Sequence, residues 1–373
     1  MKFTIKKADI QDVLAKVQGL AGRKTNLAIT TNVLIRSEGS DIAITATDLE
    51  TGFEGHYPAA IETPGSIAIN AKKLFEIIKE FPSDEISINE TENQWIEIRN
   101  QNVEFHIMGM NPEEFPDNPS IEDVVFFEVE SGAFGKMIDK TIFVSGAGDD
   151  RRAHITGALM EILHTETPPL FRLVSTDGSR LTKVDFPFEE GTQLPPIPAT
   201  IIPKKGLSEI GKFLEPGGNV QIGIQNNNFI VKKSNEIIIV RLLEGDFPQY
   251  QDIIVKPENA YDLKLPKTAF IKTLRRMSIL SSENYKGVIF RFDRDRLEIR
   301  ANNPELGESK EDLPITFSGE AIEGAFNPRY FIETLAVIEE DTVVLHIVDG
   351  ERPCLLNGDE EQTFLSVIMP MRI

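Results

Sequence analysis

The five histidines, His56, His106, His154, His164 and His346, are the first candidates for chemistry. Their separations match no metal-ligand pattern, because zinc sites gather His and Cys at short, paired spacings. His106 and His346 sit in alternating, strand-like segments, where a structural role is the better reading. Cys354, the only cysteine, follows "ERP" near a turn and has no neighbouring group to generate a thiolate. "GAGDD" at 146–150 lacks the lysine and the helix-opening pattern of a phosphate-binding loop. "TDGSR" at 176–180 sets an acid near a serine, but glycine after aspartate reads equally well as a turn. These features nominate no catalytic residue, no metal and no cofactor.

The basic residues are more informative. Net charge is −20, which taken alone argues against nucleic acid, since a non-specific DNA binder needs a basic face. Yet the helical segments and their first-turn flanks together carry +7, leaving −27 on the remainder. Within those segments Lys136 and Lys272 stand two places after the first apolar residue, and Lys79, Lys212 and Arg275 five places after. At 3.6 residues per turn both offsets lie opposite the apolar stripe. Further basic pairs fall in loops, "GRK" at 22–24 and "DDRRAH" at 149–154. A solvated face would explain any one helix. The segregation over the whole chain predicts phosphate attraction that is electrostatic and blind to sequence.

The elements that must position these cations repeat. Six segments share an apolar frame at i, i+3, i+4 and i+7, the mark of an amphipathic helix. They begin at Ile10, Leu74, Phe134, Leu207, Phe270 and Phe331. Between them lie β-branched, alternating stretches such as "DIAITAT", "WIEIR", "NVQIGI", "GVIFRF" and "TVVLHI", separated by turn clusters "SEGSD", "EPGGN", "QNNN" and "VDGERP". The pattern helix, strands, helix, strands occurs three times, which predicts an α+β chain of three repeated domains at 1–124, 125–253 and 254–373. Each repeat closes on a strand-like run: "FHIMGMNPEEFP", "IIIVRLLEGDFPQY" and "LSVIMPMRI". No apolar run approaches bilayer length, and "MKFTIKKADI" lacks the pattern of a cleavable leader. With one cysteine and no disulfide, the expected location is the cytoplasm.

The chain resembles the bacterial DNA sliding clamp, the β subunit of DNA polymerase III. The carriers are "MKFTIKK", "AGRKTN", "TATDLE", "STDGSRL", "IIPKKG", "GDFPQY", "RANNPE", "FNPRY" and "MPMRI", spread in order over the whole length. The resemblance implies a non-catalytic processivity factor: a head-to-tail homodimer closing a ring around double-stranded DNA, with helices lining the hole. It implies DNA contacts at Arg23, Lys72, Lys73, Arg152, Lys204 and Lys205. The helix argument adds Lys272, Arg275 and Arg276. A groove for short peptides of polymerase, clamp loader and other partners is implied at Ile155, Thr176, Gly178, Ser179, Arg180, Leu181, Pro248, Ile253, Val367, Ile368, Met369, Pro370, Met371 and Arg372. The implied dimer contact joins Lys73, Ile77 and Phe105 to Ile279, Leu280 and Glu305. Two departures stand out: Ala153 and His154 replace tyrosines common in the family, and Ala28 replaces a proline. The competing reading from the repeats is a three-domain peptide-binding scaffold that never meets DNA; an enzyme with a site between repeats comes third.

Overall fold

The computed structural model describes residues 1–22, 25–119, 121, 123–146, 152–214, 216–280 and 287–372. The first repeat runs β1 (Lys2–Lys6), α1 (Lys7–Ala21), β2 (Asn32–Glu38), β3 (Asp41–Thr47), β4 (Thr51–Pro58), β5 (Ala60–Thr63), β6 (Ser66–Asn70), α2 (Ala71–Glu80), β7 (Glu85–Glu90), β8 (Trp95–Arg99) and β9 (Glu104–Met108). The second runs β10 (Phe127–Glu130), α3 (Ser131–Ile142), α4 (Ala153–Thr156), β11 (Gly157–Leu163), β12 (Leu170–Thr176), β13 (Arg180–Pro187), β14 (Thr200–Pro203), α5 (Lys204–Phe213), β15 (Asn219–Gln225), β16 (Asn228–Lys233) and β17 (Glu236–Arg241). The third runs β18 (Tyr261–Pro266), α6 (Lys267–Met277), β19 (Val288–Asp293), β20 (Arg296–Asn303), β21 (Gly307–Pro314), β22 (Ile322–Phe326), α7 (Pro328–Val337), β23 (Thr342–Ile347), β24 (Cys354–Gly358) and β25 (Phe364–Ile368). All six apolar frames are helices. The single turn α4 is an addition that no periodicity announced.

Local chemistry accounts for the helix ends. Asn70 Oδ1 accepts from the Lys73 amide at 3.0 Å, and Asn327 Oδ1 from that of Arg329 at 3.1 Å. Pro328 begins α7, where a missing N–H costs nothing. The first lysine of the first helix then closes the second helix of its own repeat. Lys7 Nζ donates to Phe81 O at 2.6 Å, and Lys267 Nζ to Ile338 O at 2.8 Å.

Four antiparallel sheets form, ordered β5-β1-β7-β8-β9, β10-β15-β16-β17-β4-β3-β2-β6, β14-β11-β12-β13-β25-β24-β23-β18 and β21-β20-β19-β22. Both eight-stranded sheets mix neighbouring repeats, because β17 pairs with β4 and β25 with β13. The chain accordingly divides into two compact units, Met1–Phe134 with Lys205–Leu242, and Gly135–Lys204 with Leu243–Ile373. The middle repeat is shared between them.

In the first unit, α1 and α2 lie side by side with Ile10, Val13, Leu14, Val17, Leu74 and Ile78 buried. Gly206 lets α5 approach β17, since a Cβ there would sit 2.2 Å from Val240 Cγ1. In the second unit, Phe270, Phe290, Phe326 and Phe331 form a ring cluster with centroids 5.1 to 6.1 Å apart. Each aromatic pair in such a cluster adds about 1 kcal/mol to its area burial.

Candidate functional site

The helical cations separate into two groups. Lys72, Lys79, Lys272 and Arg275 are exposed and form no ion pair among the described residues. Others are engaged. Lys16 is 13% exposed and bridges Asp12 at 2.8 Å and Glu236 at 3.1 Å; Lys140 is 9% exposed and meets Glu361 at 2.5 Å. Lys136 and Lys212 are exposed, as their positions opposite the stripe require, but pair with Glu339 and Glu209. On α2 and on α6 an exposed basic side remains, narrower than the charge count suggests.

The remaining cations of the expected DNA set differ in availability. Arg152 and Lys73 are exposed, the latter 2.7 Å from Glu76, whose carboxyl this hydrogen bond holds below its usual pKa. Lys204 is half-buried and donates to Ser145 O at 2.8 Å. Burial and the neighbouring Arg180 charge lower its pKa. Lys205 is held between Asp48 at 2.7 Å and Glu50 at 2.6 Å. Burial opposes its charge and those two hydrogen bonds outweigh it, leaving its pKa raised. Arg276 Nε donates to Glu311 Oε2 at 2.7 Å. Arg23 lies outside the described residues.

The residues expected to form a peptide groove converge in the second unit. Leu181 pairs directly with Val367, and both join Leu159, Val174, Ile201, Tyr250 and Leu355 in one apolar cluster, with Leu243, Phe247, Ile254 and Leu365 packed on it. Val367 is 1% exposed, so it supports this floor from beneath. Strand alternation sends Arg180 and Ile368 to the opposite, helix-facing side. Pro248 lines a cavity of about 320 Å³ with Leu159, Phe247 and Tyr250 under the connection, while Ile253 stands 37% exposed at its turn. Ile155 is buried beside Gly146, and His154 meets the Phe247 ring edge-on at 6.3 Å.

The loop before β13 is closed by its own side-chain hydrogen bonds. Asp177 Oδ1 accepts from the Ser179 and Arg180 amides at 2.9 and 3.0 Å, Thr176 Oγ1 accepts from the Gly178 amide at 3.1 Å, and Gly178 holds φ of +88°. The tail is pinned on both sides: the Met369 amide donates to Ser179 O at 3.0 Å and the Met371 amide to Ala325 O at 2.7 Å. Met369, Pro370 and Met371 remain half-exposed and Arg372 exposed. Sequence reasoning missed what anchors Arg180. Its guanidinium bridges Asp177 at 2.9 Å and Glu333 at 2.7 Å and lies 4.4 Å over the Tyr330 ring. "FNPRY" and "STDGSRL" contained Tyr330 and Asp177; Glu333 carried no signal beyond an acid on a helix.

The expected dimer residues include ones on or near two sheet edges, β9 and β21, that have no outer partner strand among the described residues. Phe105, 39% exposed, belongs to β9, the outermost strand of its sheet. Ile77 is half-buried on α2, so it serves the helix stripe in part. Ile279 is 73% exposed and Leu280 half-buried just after α6, with Glu305 exposed before the edge strand β21. Among the described residues one group of metal-ligating type, Glu97, Glu104 and His106, lies on β8 and β9. Glu97 is also 3.3 Å from Arg99, which supplies the charge a cation would.

Family models for the N-terminal, central and C-terminal domains of the DNA polymerase III beta subunit match residues 1–119, 128–249 and 255–372. The chain belongs to the DNA polymerase III beta-subunit family, the sliding clamps. The beta sliding clamp of Chlamydia pneumoniae is 28% identical over 373 residues, spanning 100% of this chain and 99% of that one. That of Escherichia coli (strain K12) is 29% identical over 379 residues and the whole of both chains. Among solved structures, the DNA polymerase III subunit beta from Pseudomonas aeruginosa superposes with a TM-score of 0.92 at 28% identity over both full chains. A DnaN sliding clamp from Bartonella birtlesii bound to griselimycin gives 0.92 at 26%, again over both full chains. Sliding clamps are the non-catalytic processivity subunit of DNA polymerase III, so the enzyme and the DNA-free scaffold readings fall away. No described helix is long and apolar enough to cross a membrane.

Proposed function

We propose that two copies of this chain close into a ring on duplex DNA in the cytoplasm and tether the replicative polymerase and other factors by their linear peptides. The three clamp domains of this reading are 1–124, 125–253 and 254–373. DNA contacts come from Arg23, Lys72, Lys73, Arg152, Lys204, Lys205, Lys272, Arg275 and Arg276; among the described ones Lys72, Lys272 and Arg275 form no ion pair, while Arg276 is held by Glu311. The peptide groove is floored by Leu181 and the cluster around Tyr250 and walled by Met369, Pro370 and Met371. Methionine suits a wall that meets varied partners.

The observation that carries the ring is the pair of unused edges. The last strand of the second repeat pairs with β4 of the first, and the last strand of the third with β13 of the second. The last strand of the first, β9, and the edge strand of the third, β21, have no such partner among the described residues. An unpaired edge on each end is the requirement for head-to-tail closure by a second copy. The decisive experiment loads the protein onto closed circular DNA. Retention on the circle and loss on linearisation are expected; equal retention on both forms refutes a topological hold.

A further inference from the structure

The junction of β4 with β17 repeats that of β13 with β25 bond for bond, and it too holds a cavity. Thr47 Oγ1 accepts from the Leu49 amide at 3.0 Å and donates to Thr51 O at 3.1 Å, as Thr176 does with Gly178 and Arg180 at 3.1 and 2.8 Å. Asp48 Oδ1 accepts from the Glu50 and Thr51 amides at 3.1 and 2.8 Å, the places of Ser179 and Arg180 in the loop that Asp177 holds. Gly52 pairs with Ile239 where Leu181 pairs with Val367. The Arg241 amide donates to Glu50 O at 2.8 Å where that of Met369 donates to Ser179 O. Both connections contain Phe-Pro, which gives Asn118 the place of Tyr250.

The side chains at these equivalent places have changed character. Leucine, tyrosine and methionine of the second junction become Gly52, Asn118 and Arg241 in the first. Asn118 Nδ2 donates to Phe53 O at 3.3 Å, and a Cβ on Gly52 would sit 2.4 Å from its Oδ1, so the amide occupies the room a side chain would need. The cavity measures about 330 Å³, close to the 320 Å³ under the second connection, and Ile239, 3% exposed, lines it from the strand. Arg241, also lining it, is exposed and forms no ion pair among the described residues. Of the two acids that line the cavity, Glu50 is held by Lys205 at 2.6 Å and Asp117 is exposed on the connection. Leu49 lines it as well, 46% exposed and at φ of +76°, where the second loop has Gly178. A leucine in the left-handed region is strained, and this one gains little burial in return. Such an outlier calls for a use outside the packing of its own chain.

Resting on the reading of the second junction as a peptide groove, we infer that the first junction is a further docking groove, built for a short acidic peptide. A carboxylate side chain of the peptide pairs with Arg241, and the apolar residue beside it lies on Ile239 and Leu49. Charge complementarity selects this occupant, because a free guanidinium takes a carboxylate through two parallel hydrogen bonds. The exposed amides of Asn226 and Asn227 on the adjoining hairpin offer donors and acceptors to the peptide backbone. Nucleic acid fits less well, since Glu50 and Asp117 stand in the same cavity and would repel a run of phosphates. The two grooves of one chain then take different peptides: apolar at the second junction, acidic at the first.

Fluorescence anisotropy on the whole chain tests this, with a short labelled peptide alternating leucine and aspartate and with its asparagine counterpart. The aspartate peptide should bind saturably, and the asparagine peptide about tenfold more weakly. Arg241→Gln should also cost about tenfold, and binding to Arg241→Glu should return when lysine replaces aspartate in the peptide. Leu49→Gly should weaken binding while thermal stability holds, because glycine suits a φ of +76°. Deletion of Met369 to Ile373 should change none of these results. A peptide that never saturates, that ignores Arg241→Gln, or that a short DNA duplex displaces from Arg241 overturns the acidic groove. Binding lost on tail deletion but kept in Arg241→Gln places the peptide at the second junction, which upholds that groove and overturns this one. Failure of the second groove reads out separately, as a polymerase-derived peptide indifferent to the tail deletion.

Discussion

At the scale of single residues, Arg180 shows how the groove is held. It is 7% exposed, so its charge is tolerable only with acids in contact, and Asp177 and Glu333 supply them. Glu333 in turn holds Arg329 at 2.6 Å. Burial raises the Glu333 pKa, but the hydrogen bond from Arg329 and the ion pair with Arg180 outweigh it and hold the carboxyl below its ordinary 4.5. A depressed folded pKa stabilises above the unfolded value and loses that contribution as pH falls through the folded one. Glu333→Ala should therefore destabilise by about 2 kcal/mol at neutral pH, from a buried guanidinium deprived of one partner. Against the parent, the difference should shrink as pH drops below 4.5, which urea melts at several pH values will report. Cys354 is the opposite case. Full burial beside Ile368 O pushes its thiol pKa well up, and it behaves as a small core residue.

At the scale of elements, the helices divide their work by face. α6 buries Phe270, Thr273, Leu274 and Met277 and presents Lys272 and Arg275 to solvent. Lys267 closes the end of α7 and Arg276 binds Glu311, so only part of the +4 on this helix is free for phosphate. Replacing Lys272 and Arg275 together by alanine should weaken equilibrium binding to short duplexes. It should also reduce the salt slope by about 1 for each phosphate that is no longer neutralised. Thermal stability should hardly change, since exposed side chains without pairs contribute little. The same double substitution with an unaltered salt slope would remove α6 from the DNA surface.

At the scale of the whole molecule, the fold converts a repeated domain into a sequence of identical joints. Each joint is a strand pair, so each repeat is completed by the next one along and the middle repeat belongs to two sheets. This separates the functions spatially along the chain. The proposed docking groove lies at the second junction, in the second unit, whereas β9 lies in the first unit and β21 at a different sheet edge of the second. Deletion of Met369 to Ile373 leaves β25 whole and removes only the wall beyond it. It should abolish binding of a polymerase-derived peptide while the dimer persists by sedimentation. Unchanged peptide affinity would move the groove elsewhere.

Much of this was legible beforehand because it rests on periodicity. Ile10, Val13, Leu14 and Val17 could bury themselves only on a helix, and "DIAITAT" became β3 residue for residue. Charge offsets likewise placed Lys272 and Arg275 opposite the apolar stripe, since helix geometry alone sets that angle. What sequence could not assign was partnership at a distance. Lys136 and Lys272 hold the same place on their helices, yet one pairs with Glu339, 203 positions away, and the other forms no ion pair among the described residues. The triple recurrence of helix and strand runs was set by the chain itself. Only the tertiary structure decided which strand of one repeat completes the sheet of another, because strand pairing is a contact between segments whose spacing carries no period.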